Sequence, residues 1–239
     1  MFAFNADRNP FISAGSAAII NNYVYDWYFG MTVNGNSENK GPVQASISGN
    51  YLSYNSAEKY SIYMVGGLQN GTSYYIANGT NHKANYYNTR GDEIKLQTDP
   101  WPDLEYRNQA REKSDSIAPP PEWVKVTSPP LWPSGNEEMA ALDVPNHVFV
   151  NAGARPADRD AVDKRVVEQV KSNAGKFIDS QEQVGSWPIL EMNDRELTIP
   201  TNYSQIQSSG YTKLEEWLHQ HCNIVEGKAI FPPKNLRSN

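Results

Sequence analysis

Cysteine is nearly absent from this 239-residue chain: Cys222 stands alone, so no intrachain disulfide can form and cysteine usage does not indicate a redox compartment. Long apolar runs are missing too. The best stretch, Ala17 to Ile20, falls far short of the roughly 18 residues of a membrane span, which excludes a bilayer-embedded helical protein. Clusters of Lys and Arg interleaved with aromatics are lacking, and 21 basic against 27 acidic residues leave a net charge of -6. Such a chain offers no electrostatic footprint for a phosphate backbone, so nucleic acid is not an expected partner. The basic and apolar segments of a secretory signal are also missing at the N-terminus, so either the protein is not exported or its beginning lies upstream.

What is present is unevenly distributed. Residues 1–100 hold 11 of the 14 Tyr but only 13 of the 48 charged residues, so two differently built regions are expected. In the first, Ala17-Ala18-Ile19-Ile20, Tyr23-Val24-Tyr25, Ala45-Ser46-Ile47, Tyr51-Leu52 and Ser61-Ile62-Tyr63-Met64-Val65 are short, β-branched or aromatic, and separated by Asn, Gly and Ser. They read as strands. An offset of 28 lays Ala17 on Ala45, Ile19 on Ile47, Asn22 on Asn50 and Tyr23 on Tyr51, and a further step takes Asn50 to Asn78. A repeat of this length predicts a solenoid, with the three Asn as a side-chain ladder at a recurring turn.

Nine of the 16 Pro lie between Pro100 and Pro145, including Pro119-Pro120-Pro121, which predicts an extended connector without regular structure. Trp101, Trp123 and Trp132 sit in it and are expected to pin it to the body it crosses. Helices are expected late. Asp158 caps one running to about Ser172, with Ala161, Val162, Val166, Val167 and Val170 on one face and Gly175 ending it. A second begins at Thr212, which forms a capping box with Glu215, and its apolar face is Leu214, Trp217 and Leu218. The expected organisation is strand coils over 1–99, a Pro-rich connector over 100–150, and a C-terminal extension with two short helices over 151–239.

Chemical signals are few. Asp158, Asp160 and Asp163 resemble a calcium loop in charge but lack its central Gly and distal Glu, and helix N-terminus electrostatics explain them more simply. His219, His221 and Cys222 could make a zinc corner, but no distant fourth ligand completes it. No ligand set is assigned to a metal.

One stretch is more specific. Arg8-Asn9-Pro10, Gly15, Ile19-Ile20-Asn21-Asn22-Tyr23-Val24-Tyr25 and Trp27 resemble, in order and spacing, the R-x-P motif and following strand-turn of the pectate lyase family. Asn151-Ala152-Gly153-Ala154, Arg159-Asp160-Ala161-Val162-Asp163, Val184-Gly185-Ser186-Trp187-Pro188 and Gly210-Tyr211-Thr212-Lys213-Leu214-Glu215-Glu216-Trp217-Leu218 look like C-terminal segments of bacterial members. The resemblance implies an all-β fold, a right-handed parallel β-helix carrying a Pro-rich arm and short C-terminal α-helices. It implies a secreted lyase that cleaves polygalacturonate by calcium-assisted β-elimination, with Arg8 as the catalytic residue and Tyr25 and Trp27 as substrate-binding aromatics. A guanidinium is a poor proton acceptor, so Arg8 reads equally as a charge partner of a carboxylate.

Two departures from the family bear on activity. Ser13 stands where the family commonly has a second, substrate-binding Arg, and only seven residues precede Arg8, with Asp7 the one acid among them. The family's calcium ligands lie upstream of R-x-P, so the chain reads as a C-terminal portion without the metal site. Its first strands would then present an open edge, with aggregation, association with another chain, or capping by residues 1–10 as the expected outcomes. The other reading is a non-catalytic β-solenoid that binds acidic or neutral glycans through its Tyr-rich face, or a structural module of a cell surface or viral tail.

Overall fold

The computed structural model describes residues 1–13, 15–34, 41–53, 61–66, 70–77, 86–88, 94–96, 99, 101, 104–107, 122–153, 156, 159–189 and 198–226. Twelve short strands come first: β1 (Phe2–Ala3), β2 (Phe11–Ile12), β3 (Gly15–Ile20), β4 (Tyr23–Tyr25), β5 (Phe29–Asn34), β6 (Val43–Ser48), β7 (Tyr51–Ser53), β8 (Ser61–Gly66), β9 (Ser73–Ile76), β10 (Tyr86–Asn88), β11 (Ile94–Leu96) and β12 (Leu104–Arg107). Three helices follow, α1 (Val144–Asn151), α2 (Ala161–Lys171) and α3 (Lys213–Glu226). All five segments expected as strands are strands.

The strands form three sheets, ordered β1-β4-β7-β10-β11, β12-β8-β5-β2 and β3-β6-β9. The 28-residue offset is realised as strand register, because Ala17 pairs with Ala45, Ile19 with Ile47, and Tyr23 with Tyr51, all parallel. Turn chemistry repeats with it. Asn21 and Gly49, at equivalent positions, both adopt positive φ (58° and 65°), and the next residue in each case is the ladder Asn. Asn50 is fully buried; its Oδ1 accepts from the Asn22 backbone N–H at 2.9 Å and the Asn22 Nδ2 at 3.1 Å, while its Nδ2 donates to the carbonyls of Ile19 and Ser48. Asn78, the expected third rung, lies outside the described residues.

The expectation of an all-β, right-handed parallel β-helix is corrected. The sheets are small and unequal, and the described residues form no closed solenoid. Successive offsets drift, from 28 between β4 and β7 to 32 between β5 and β8 and 35 between β7 and β10, so neighbouring turns are not equivalent units. The first sheet then reverses direction in the antiparallel pair of β10 and β11, which a one-way parallel coil does not allow. Helices add a further layer. A shared offset establishes that strands pair side by side; it does not require the turns joining them to close.

By contacts the chain divides into two compact units, Met1–Ala152 with Lys164–Ser186, and Gly153–Asp163 with Trp187–Asn239. The first unit has two cores. Ile19, Val24, Trp27, Met31, Val33, Val43, Ala45, Ile47, Leu52, Tyr74, Ile76 and Val124 form one, drawing on strands of all three sheets. Tyr23, Tyr25 and Tyr51 form the other with Ala141, Val144 and Val148 around α1 and with Val170 of α2. Both faces of the Tyr23–Tyr25 strand are therefore covered, which is why residues 23–27 are buried without alternation.

The Pro-rich segment is ordered where described. Lys125 bridges Tyr74 in β9 and the Val126 N–H donates to the Tyr74 carbonyl at 3.0 Å; the Leu131 N–H donates to Ser46 Oγ at 3.3 Å; the Met139 N–H donates to Asn21 Oδ1 at 2.9 Å. The arm thus crosses β9, β6 and the turn after β3 in succession. As expected of Trp101, it packs against the core, with Lys125 Nζ 5.0 Å from its ring centroid, whereas Trp123 is exposed. The expectation of no regular structure is corrected by β12, by 3-10 turns at Glu122–Val124 and Ala141–Asp143, and by α1. Pro145 sits in the first turn of α1, where its missing N–H has no helical partner to lose.

Helix α2 is capped by Asp160, whose Oδ1 accepts the Asp163 N–H at 2.8 Å. Asp158, expected in that role, lies outside the described residues. Asn173, at φ 50°, stops α2 two residues before the expected Gly175, with the Ala174 N–H returning to the Gln169 carbonyl and the Asn173 N–H to that of Val170. In the second unit the expected capping box is present: the Thr212 N–H donates to Glu215 Oε2 at 2.7 Å, and the Glu215 N–H to Thr212 Oγ1 at 3.3 Å. No helix among the described residues is long and apolar enough to cross a membrane.

Candidate functional site

Arg8 sits on the turn between β1 and β2. Two backbone hydrogen bonds bracket it: the Tyr28 N–H donates to the Ala6 carbonyl and the Asn9 N–H to the Gly30 carbonyl, both at 3.1 Å. The Thr32 N–H then donates to the Pro10 carbonyl at 2.9 Å, and β2 continues the pairing with β5. Asn9 is buried, and its side-chain amide donates to the Asn5 carbonyl at 3.0 Å. The Asn9–Pro10 peptide is cis.

Within this anchored turn Arg8 adopts φ 69°. For a side chain with a Cβ that conformation costs about 1–2 kcal/mol, so the flanking hydrogen bonds hold Arg8 where an unconstrained chain would not. The Arg8 side chain is 66% exposed. Its Nε lies 3.8 Å from Asp7 Oδ2, and its Cζ lies 5.4 Å from the centroid of the half-exposed Phe11 ring. The contact with Asp7 is long and solvated, so it leaves guanidinium donors for a second carboxylate.

The other two expected site residues are in the cores. Tyr25 is 0% and Trp27 2% exposed. The Tyr25 hydroxyl donates to the Ala174 carbonyl at 3.1 Å and its ring meets Phe4 edge-on at 5.3 Å, while Trp27 belongs to the core between the sheets. Burial, with the nearby Asp26 and Tyr23, pushes the Tyr25 hydroxyl well above its ordinary pKa. Tyr23, Tyr25 and Tyr51 pack around α1, so these three are withdrawn from any Tyr-rich glycan-binding face. Two aromatics reach the surface near the Arg8 turn: Phe11, 40% exposed and against the guanidinium, and Tyr28, on the stretch whose backbone pairs with the turn, 36% exposed and stacked on Phe177 at 4.5 Å with 9° between the planes. No strand period singles out Tyr28, because the five residues before it are all buried.

For the calcium implied by the family resemblance, no three His, Cys, Asp or Glu side chains converge among the described residues, and no ligands are assigned to it. The side chains of His219, His221 and Cys222 lie outside those described. No family model matches the chain, and no curated protein or solved structure is similar to it.

Proposed function

We propose that this chain is a polysaccharide-lyase-like protein that engages pectate or polygalacturonate at Arg8 and supports β-elimination there. The observation that carries the reading is the exposed guanidinium held in a left-handed conformation between two backbone anchors, in the R-x-P setting. In β-elimination the C5 proton passes to a base, its electron pair forms the C4–C5 double bond, and the C4–O bond breaks with a proton returned to the leaving oxygen. Negative charge builds next to the uronate carboxylate, where a fixed cation is most stabilising. No step is assigned to calcium. Polygalacturonate is a wall polymer, so the reading carries a secreted, extracellular setting with it.

The test is incubation with polygalacturonate, with and without added calcium, following ultraviolet absorbance of the unsaturated product. Arg8→Lys, which keeps a cation but loses the guanidinium fork, is expected to retain part of the turnover, and Arg8→Ala to lose it. Ser13, standing where the family has its second Arg, favours the second reading, a glycan-binding module without turnover. That reading predicts binding without product.

Association with a second copy is proposed through the edges of β1, β2 and β3, each the terminal strand of its sheet. The opposite edges of two sheets are occupied, β9 by Lys125 and Val126 and β10 by β11, which favours pairing of like edge with like.

A further inference from the structure

We propose that Tyr28, backed by Phe177, is a pyranose-stacking subsite beside Arg8, taking the apolar face of a sugar ring whose carboxylate meets the guanidinium. Three observations place the elements together. The hydrogen bonds from Tyr28 N–H to Ala6 and from Asn9 N–H to Gly30 run the Arg8 turn directly alongside residues 28–30. Tyr28 is exposed on that stretch, while Tyr25 and Trp27 just before it are buried, so the sugar-facing aromatic is not either of those the motif suggests. Phe177 stacks on Tyr28 nearly parallel, which fixes the plane of its ring before any ligand arrives.

The chemistry fits a uronic-acid unit. One face of a pyranose presents C–H groups, which suit the negative face of an aromatic ring. A ring already held in place loses little side-chain freedom on binding. The exposed guanidinium two residues beyond Ala6 supplies the fork that a carboxylate matches. Recognition is thereby divided: Tyr28 reads the ring and Arg8 reads the charge. Only the identity of the sugar as a uronate rests on the function proposed above; a neutral pyranose would use Tyr28 in the same way.

Isothermal titration calorimetry with a galacturonate tetramer and its uncharged galactose counterpart tests this. Tyr28→Ala is expected to weaken binding of both by about 3- to 10-fold, the size of one lost ring contact. Tyr28→Trp restores it, which separates lost stacking from lost folding, and Arg8→Ala weakens the charged tetramer alone. Unchanged affinity for both ligands in Tyr28→Ala overturns the subsite and leaves the polygalacturonate reading standing. If the wild type takes the neutral tetramer but not the charged one, the polygalacturonate reading fails, and the loss of neutral binding in Tyr28→Ala still supports the subsite. Binding of neither ligand by the wild type overturns both.

Discussion

Single residues hold the turns of this fold in place, and Asn50 does so most completely. Its buried amide makes four hydrogen bonds, two of them to Asn22 in the preceding turn. Asn50→Ala removes all four bonds, including the side-chain acceptor of the Asn22 N–H, and is expected to cost about 2–4 kcal/mol in urea unfolding. Tyr23 sets a second test. Burial, reinforced by Tyr51 and opposed by its hydrogen bond to Ser53, pushes its hydroxyl from 10.0 up to about 12. Below pH 10 both folded and unfolded states keep the proton, and the stabilisation is whole. Above it the unfolded chain ionises first, so stability falls between pH 10 and about 12. Tyr23→Phe should lose about 1 kcal/mol at neutral pH with the Ser53 bond but show a shallower alkaline decline, since Tyr25, Tyr51 and Tyr75 still contribute and Tyr23 no longer does. Chemical denaturation from pH 8 to 12 reads both effects.

At the scale of elements, much was legible because the signals are local. The strands announce themselves by β-branched and aromatic clusters between Asn and Gly, and the Thr212 and Glu215 capping box needs only four residues. The offset fixed the register of Ala17 on Ala45 because cross-strand neighbours share one environment. Closure was not legible. It depends on loop lengths between turns, and these drift, so the β-helix inferred from the offset and the family resemblance does not hold. Helix α1 begins inside the segment expected as a connector, because Pro145 ends a Pro-rich stretch in sequence yet is tolerated in the first turn of a helix. Of the residues the R-x-P motif suggests, Arg8 is exposed, whereas Tyr25 is buried under helix α1 and Trp27 in the core between the sheets, coverings that no strand pattern announces. The edge strand β3, Gly-Ser-Ala-Ala-Ile-Ile, has no charge and no proline to discourage pairing. Ser16, exposed on it, is the position at which Lys should break self-association. Light scattering during size exclusion should show a dimer for the wild type and a monomer for Ser16→Lys, whereas a monomeric wild type contradicts edge pairing.

At the scale of the whole molecule, the strands, arm and first helices form one compact unit around two cores, and the Arg8 turn lies at its surface between β1 and β2. With a net charge of -6, the proposed recognition of an acidic polymer rests on one exposed guanidinium and the Tyr28 ring. The central claim is that Arg8 carries chemistry on a uronan. The direct measurement is the ultraviolet absorbance of unsaturated product formed from polygalacturonate by the wild type and by Arg8→Ala, each with and without calcium. The account predicts product from the wild type and a rate about 10²- to 10⁴-fold lower in Arg8→Ala, the range for loss of a positioned proton-transfer group. No product from the wild type under either condition, or product formation that Arg8→Ala leaves unchanged, would contradict it.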